Sequence, residues 1–181
     1  MQPGFVRIIG GEWRRRRIAL PRDVELRPTP DRVRETLFNW LAPVLPGADC
    51  LDLFAGTGAL GFEALSRGAA SAVLVEREPR TVAALERVRE ELGAAAEIVC
   101  ADAADYLARG ARRRFDIVFV DPPFAEPAGP VLTGLLPLLK PGARVYLERA
   151  AESPWPEIAG LDWVRRSRAG AVAFGLAVPR A

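Results

Sequence analysis

The sequence predicts an α/β fold built on a mostly parallel, seven-stranded sheet. From Cys50 onward, short apolar runs alternate with segments of helical periodicity, which is the pattern of successive βαβ units. Runs such as DIVFV at residues 116–120 are apolar without alternation, as expected for strands covered on both faces. The last two β-prone runs meet at Gly170 with no helix between them, so we expect an antiparallel strand at the C-terminal end of the sheet.

The limits of each element follow from periodicity and from Gly and Pro as stop signals. The helix that begins at Pro79, for example, has proline in its first turn and ends before Gly93. The predicted strands cover residues 50–54, 72–76, 96–100, 115–120, 144–148, 161–166 and 172–178. The predicted helices cover residues 58–66, 79–92, 103–109 and 130–139.

The N-terminal part predicts a separate element. Two β-prone runs flank Gly10-Gly11, a pair typical of two-residue hairpin turns. We therefore predict a basic β-hairpin extension over residues 1–27 and a main domain over residues 28–181. The main domain should begin with a helix that Thr29 caps and in which Pro30 takes the first position.

Composition narrows the chemistry. The chain of 181 residues is 50% hydrophobic and has no His and two Cys, which excludes a Ser-His-Asp triad, a Cys-His pair and an ordinary structural zinc site. No apolar run approaches the roughly 18 residues of a membrane span, and the N-terminus lacks the order of a secretory signal, so we expect a cytoplasmic protein. With no His and two Cys, we also expect a protein that works without a metal ion. Twenty-four of the 25 basic residues are Arg, and five of these lie within the first 17 residues beside a single acid, Glu12.

A glycine turn follows the first strand of the main domain. Gly56-Thr57-Gly58-Ala59-Leu60-Gly61 has the G-x-G-x-x-G spacing of dinucleotide sites, but Asp52 would repel a pyrophosphate at its mouth. A cationic ligand without phosphate, S-adenosylmethionine, suits that carboxylate better than NAD. Two further acids, Glu76 and Asp102, end the next two strands, where ligands of doubly wound sheets bind. Glu76 suits ribose hydroxyls and Asp102 an adenine amine, although Asp102 could instead only cap a helix.

The fourth strand of the main domain ends in Asp121-Pro122-Pro123-Phe124. Two prolines remove backbone donors, so acceptors remain at the cleft: the Asp121 carboxylate and the Pro122 carbonyl. Such a site suits an exocyclic amine with two hydrogens, and Phe124 offers a face on which a base can stack. Asp121 would also stabilise the developing positive charge on nitrogen and take its proton.

In this order, these segments resemble the RsmD family of bacterial 16S rRNA (guanine-N2)-methyltransferases over most of the chain, from Arg7 to about Glu148. The matching segments are RIIGGEWRRRRIALP, LRPTPDRVRETLFNWL, LDLFAGTGALGFEALSRGA, LVE and FVDPPF. The resemblance implies a Rossmann-like class I S-adenosylmethionine-dependent methyltransferase fold and methyl transfer to the N2 of a guanine in 16S rRNA. It further implies an assembled small ribosomal subunit as substrate, and we expect a monomer because one face must admit so large a particle.

Three sets of site residues are predicted. The catalytic set is Asp121, Pro122 and Phe124. The cofactor-binding set is Asp52, Phe54, Ala55, Gly56, Thr57, Gly58, Glu76, Arg77, Asp102, Ala103 and Asp121. The RNA-binding set is Arg7, Trp13, Arg14, Arg15, Arg16, Arg17, Arg32 and Arg34.

Several alternatives stay open at the level of sequence. The hairpin could be only a solvated strand with Trp13 packed on the domain, and Arg32 and Arg34 could pair with Asp31 and Glu35 rather than with phosphates. The Asp-Pro-Pro-Phe motif by itself also fits adenine N6 in DNA or RNA, or a protein glutamine. A nicotinamide oxidoreductase and a non-catalytic RNA-binding protein are the remaining rivals.

Overall fold

A computed structural model describes residues 5–19, 29–110, 113–123 and 126–180. The described strands are β1 (Phe5–Arg7), β2 (Arg17–Ala19), β3 (Asp49–Asp52), β4 (Ser71–Glu76), β5 (Ala96–Cys100), β6 (Phe115–Val120), β7 (Leu139–Ala150), β8 (Leu161–Ala169) and β9 (Val172–Pro179). The described α-helices are α1 (Asp31–Leu41), α2 (Ala59–Ser66), α3 (Pro79–Leu92), α4 (Ala103–Ala108) and α5 (Ala128–Gly134).

The main sheet has seven strands in the order β5-β4-β3-β6-β7-β9-β8. The first five strands of this order are parallel, and β9 pairs antiparallel with both β7 and β8. The predicted α/β fold, with its parallel sheet and antiparallel C-terminal strand, is therefore confirmed. The order reverses between β3 and β6, and open α/β sheets bind ligands at such a reversal.

Two hydrophobic clusters cover the two faces of the sheet. On β6, Ile117 and Phe119 belong to one cluster, and Val118 and Val120 belong to the other. This division follows from the geometry of a strand, in which successive side chains point to opposite faces. The first cluster also contains residues of α1, α2 and the N-terminal hairpin, and the second contains residues of α4 and α5.

The predicted helix at 130–139 is wrong in its limits. The α-helix ends at Gly134 and a 3₁₀ turn, Leu136–Leu138, follows it. Pro137 explains the break, because proline has no N–H and its ring clashes with the carbonyl four residues earlier. As a result β7 begins at Leu139, five residues before the predicted strand at 144–148.

The N-terminal hairpin forms, but not around a two-residue turn. Arg7 pairs with Arg17, so nine residues connect β1 to β2. The backbone amides of Ile9 and Gly10 each donate to the Glu63 carboxylate of α2 at 2.8 Å, rather than to a facing strand. Gly11 has a φ of +76°, and a Cβ there would lie 1.8 Å from the carbonyl oxygen of Ser66. The glycine pair therefore serves close docking on α2 and does not form the predicted two-residue turn.

The described helices include none that is both long and apolar enough to cross a membrane.

Candidate active site

A cavity of about 550 Å³ opens at the carboxyl ends of the parallel strands, which is within the usual range for a small-molecule site. Among the described residues that line it are six carboxylates and one guanidinium, that of Arg77. The six are Asp52, Glu76, Glu78, Asp102, Asp121 and Glu148. So acidic a lining favours a cationic or hydrogen-donating ligand and disfavours a pyrophosphate.

The glycine turn closes one wall of the cavity. The Gly56 amide donates to the Glu76 carboxylate at 2.9 Å, which joins the turn to the end of β4. Gly58 has a φ of +75° and lies at the N-terminus of α2, where a Cβ would be 2.6 Å from the Phe62 ring and 2.7 Å from Leu85. Only glycine fits there, because both the backbone conformation and the space exclude a side chain.

Asp52 lies buried under this turn. Its Oδ2 accepts from the Gly61 amide at 3.2 Å, whereas its buried Oδ1 has no hydrogen-bond partner among the described residues. Burial raises the pKa of Asp52 to about 7, the Gly61 and Phe54 amides oppose this rise, and the Glu76 charge adds to it. An unpartnered carboxylate oxygen beside the cavity fits a ligand that brings a positive charge, as S-adenosylmethionine does with its ammonium and sulfonium groups.

The acids at the ends of β4 and β5 already hold backbone amides. Glu76 accepts from Glu78 at 2.8 Å in addition to Gly56, and Asp102 caps α4 by accepting from Ala104 at 2.8 Å. Asp102 therefore does cap the helix, as the alternative interpretation of the sequence predicted. Both side chains also line the cavity, and a carboxylate has about four acceptor positions. Their contacts with a ribose and an adenine stay predictions.

Arg77 is exposed at the same end of the cavity, with its guanidinium 3.2 Å from Glu126 and 4.0 Å from Asp102. Of the remaining predicted cofactor residues, Phe54, Ala55, Gly56, Thr57 and Ala103 line the cavity. Gly58 is not part of the lining and acts through the shape of the turn.

The other end of the cavity contains Asp121. The Thr29 hydroxyl donates to its Oδ2 at 3.3 Å. Burial raises the pKa of Asp121 well above its usual range, and the charges of Glu148 and Asp52 raise it further. The prediction that Thr29 caps α1 is wrong: Pro30 occupies the N-cap position rather than the first helical position, with no side-chain cap bond. Pro122 is buried, Pro123 lines the cavity, and Phe124 lies outside the described residues.

Among the cavity residues that the sequence-based site predictions missed, Thr29 and Glu148 are the two polar ones that act on Asp121. Glu148 is 5% exposed and accepts a hydrogen bond from the Tyr146 hydroxyl at 3.0 Å. Glu148 ends a predicted strand, and this position could have identified it as a site residue, because ligands bind at the carboxyl ends of parallel strands. No local signal marks Thr29, which reaches Asp121 across 92 residues of sequence.

The predicted RNA-binding residues fall into two groups. Arg14, Arg15, Arg16 and Arg17 are exposed on the hairpin, as are Arg7 and, on α1, Arg32. Trp13 is partly buried against the first hydrophobic cluster, which is the packed arrangement considered for it. Arg7 lies 3.4 Å from Asp31.

Arg34 requires a correction. Its side chain is 1% exposed and its guanidinium donates to Asp31 at 2.6 Å, to the Arg7 carbonyl at 2.9 Å and to Glu63 at 3.5 Å. A guanidinium so enclosed is not available to an RNA phosphate. Arg34 instead ties the hairpin to α1 and α2, because its Nη atoms donate to the Arg7 carbonyl, to Asp31 and to Glu63.

Among the described residues, no group of three or more His, Cys, Asp or Glu side chains is arranged to hold a metal ion.

Comparison with known proteins agrees with this architecture. The family model "Conserved hypothetical protein 95" matches residues 6–177. The chain is 45% identical over 178 residues to the Ribosomal RNA small subunit methyltransferase D of Escherichia coli K12, covering 96% of this chain and 89% of that protein. The Haemophilus influenzae protein of the same name is 40% identical over 158 residues, covering 83% and 82%. The solved structure of Escherichia coli yhhF superposes with a TM-score of 0.90 at 44% identity, covering 98% of this chain and 99% of that one. Family match, relatives and fold agree with the motifs, and the chain belongs to the RsmD family.

Proposed function

We propose that this protein transfers a methyl group from S-adenosylmethionine to the exocyclic N2 of a guanine in small-subunit ribosomal RNA. The observation that carries the proposal is the two-ended acidic cavity. A glycine turn over the buried Asp52 forms one end, and Asp121 with its two prolines forms the other. The names of the Escherichia coli and Haemophilus influenzae relatives support the substrate class.

The end near Asp52 holds the cofactor. Asp52 and the turn at Ala55–Thr57 bind its charged amino-acid portion, and Glu76, Asp102 and Ala103 bind its nucleoside portion. When bound, S-adenosylmethionine supplies an electrophilic methyl group on a sulfonium centre. The acidic lining attracts that cation, and the exposed Arg77 is balanced by Glu126.

Asp121 acts on the acceptor. The guanine amine is a poor nucleophile because its lone pair is delocalised into the ring. Asp121 accepts a hydrogen bond from one amine N–H and the Pro122 carbonyl accepts one from the other, which turns the lone pair out of conjugation and toward the methyl donor. The raised pKa of Asp121 suits a group that takes a proton as the nitrogen becomes cationic. Phe124 stacks on the base and offsets part of the cost of leaving the helical stack.

The basic hairpin faces the RNA. Arg14 to Arg16 are exposed on the loop between β1 and β2, and Arg17 is exposed at the start of β2. Guanidinium groups bind phosphates in forked geometry. We assign residues 1–27 as this RNA-facing extension and residues 28–181 as the methyltransferase domain; the boundary lies outside the described residues. A cytoplasmic monomer acting without metal on an assembled small subunit completes the proposal.

Methyl-labelled S-adenosylmethionine tests this function with small subunits that lack the modification. The RNA is digested after the reaction and the labelled nucleoside is identified. We expect N2-methylguanosine. Label in N6-methyladenosine would retain the methyltransferase chemistry and overturn the substrate, and no label despite measured S-adenosylmethionine binding would overturn the RNA substrate class.

A further inference from the structure

A second buried carboxylate lies beside Asp121 at the acceptor end of the cavity. Strands β6 and β7 are parallel, and Val120 pairs with Leu147. Asp121 directly follows Val120 at the end of β6, Glu148 follows Leu147 within β7, and both line the cavity. The parallel register therefore places the two acceptor groups side by side, Glu148 on β7 and Asp121 at the first position after β6.

Glu148 is held in place rather than free to turn into solvent. It is 5% exposed, and the buried Tyr146 hydroxyl donates to its Oε2 at 3.0 Å. The two carboxylates interact, since the Glu148 charge is among the causes that raise the pKa of Asp121. Such a pair favours a ligand that presents several hydrogen-bond donors side by side.

Guanine and adenine differ in this respect. The Watson–Crick edge of guanine places the N1–H donor next to the N2 amine, so each of two neighbouring carboxylates can accept a hydrogen bond from it. The same edge of adenine places an N1 acceptor next to its amine, so a second carboxylate would face a lone pair. A site built to hydrogen-bond one group rejects the analogue that lacks it, because the buried partner is left unpaired.

We propose that Glu148 is a specificity-determining residue that accepts a hydrogen bond from the N1–H of the target guanine while Asp121 accepts one from its N2 amine. Tyr146 is the positioning residue that orients the Glu148 carboxylate. This inference rests on the proposed function and deepens it, because it assigns the choice of guanine over other amine-bearing purines to one residue.

The test uses small subunits reconstituted with a synthetic RNA segment that carries guanine, 2,6-diaminopurine or 2-aminopurine at the mapped target. The two analogues keep the N2 amine, but their N1 is an acceptor without hydrogen. The unaltered enzyme, Glu148→Gln, Tyr146→Phe and the exposed control Glu157→Gln are compared by methylation rate. The affinity of each for S-adenosylhomocysteine is measured by calorimetry.

We expect the unaltered enzyme and Glu157→Gln to prefer guanine to either analogue by roughly 10- to 100-fold, the range of a hydrogen bond to a charged group. Glu148→Gln should lower the guanine rate and reduce this preference at least about tenfold, because a neutral amide can donate to an N1 acceptor. Tyr146→Phe should reduce the preference less. Affinity for S-adenosylhomocysteine should stay unchanged.

The possible outcomes distinguish a failure of the proposed function from a failure of the role assigned to Glu148. Absence of N2-methylguanosine from the unaltered enzyme would overturn the proposed function. Production of N2-methylguanosine with the same guanine preference in Glu148→Gln would overturn the role of Glu148 alone. Loss of S-adenosylhomocysteine affinity with an unchanged preference would also overturn it and would assign Glu148 to the cofactor.

Discussion

At the scale of one residue, the buried carboxylate of Asp52 lowers the stability of the folded protein at neutral and alkaline pH. Its carboxylate is buried with one oxygen unpartnered, and burial raises its pKa from 3.8 to about 7. A group whose folded-state pKa is raised favours the folded state at low pH. That contribution is complete below about pH 4 and is lost as pH rises through about 7. At pH 8 the cofactor-free protein therefore holds an uncompensated charge.

Asp52→Asn should remove this charge. We expect the stability advantage of the variant over the unaltered protein to be larger at pH 8 than at pH 5 by about 2 to 3 kcal/mol, as measured by denaturant unfolding without cofactor. Its affinity for S-adenosylmethionine should fall, because the amide cannot balance a cation. Asp105→Asn on the exposed face of α4 is the control. An equal stability difference at both pH values would contradict the assigned pKa.

In the proposed mechanism, Asp121 acts on the acceptor amine rather than on the cofactor. We expect Asp121→Ala to lower the methylation rate by roughly 100-fold or more, the lower end of the range for a positioned acid–base group. S-adenosylhomocysteine affinity should largely survive, because the glycine turn and Asp52 remain. Single-turnover assays and calorimetry measure the two quantities. A fully active variant would rule out the proposed mechanism.

At the scale of elements, the docking of the hairpin on α2 depends on Glu63. This fully buried carboxylate accepts from the amides of Ile9 and Gly10, from Arg67 at 2.7 Å and from Arg34 at 3.5 Å. Two guanidinium groups and two amides satisfy a charge that would otherwise be costly to bury. The same helix begins at the glycine turn, so the hairpin that we propose to face the RNA and the glycine turn that we propose to hold the cofactor share one element.

Gly11 tests this docking by comparison with Gly93. Both have positive φ, +76° and +59°, but a Cβ on Gly11 would meet the Ser66 backbone whereas one on Gly93 meets nothing within 4 Å. We expect Gly93→Ala to lower the unfolding free energy by about 1 kcal/mol, from backbone strain alone. Gly11→Ala should cost clearly more or undock the hairpin, seen as faster amide exchange at Ile9 and Gly10. Equal costs and equal exchange would show that close approach to α2 is unimportant.

At the scale of the whole molecule, the basic charge is concentrated on the hairpin although the formal net charge is only +2. If Arg14 and Arg16 contact phosphates, each replacement by Ala should reduce the slope of log affinity against log salt by about 1. The slope is measured by titration of small subunits in the presence of S-adenosylhomocysteine. Arg87→Ala, an exposed arginine on α3, should leave it unchanged. Equal slopes for all variants would remove the hairpin from the RNA interface.

The sequence by itself determined the sheet, the glycine turn and the acids at the strand ends, because these depend on local patterns. Apolar runs of strand length mark β3, β4 and β6, and the alternation of strand and helix places Asp52, Glu76, Asp102 and Asp121 at one edge. Topology then brings them to one cavity. The predicted strand limits differ most from the structure where proline and glycine interrupt the chain, as before β7.

Only the tertiary structure decided what depends on partners far apart in the chain. The sequence predicts that Arg34 contacts RNA, but in the structure it lies buried beside Glu63. It predicts a turn at Gly10-Gly11, but the amides of Ile9 and Gly10 donate to α2. It predicts that Thr29 caps a helix, but its hydroxyl donates to Asp121. The raised pKa of Asp52 likewise comes from burial, which no local pattern records. Short-range periodicity sets the elements, whereas the burial of polar groups is set by packing between them.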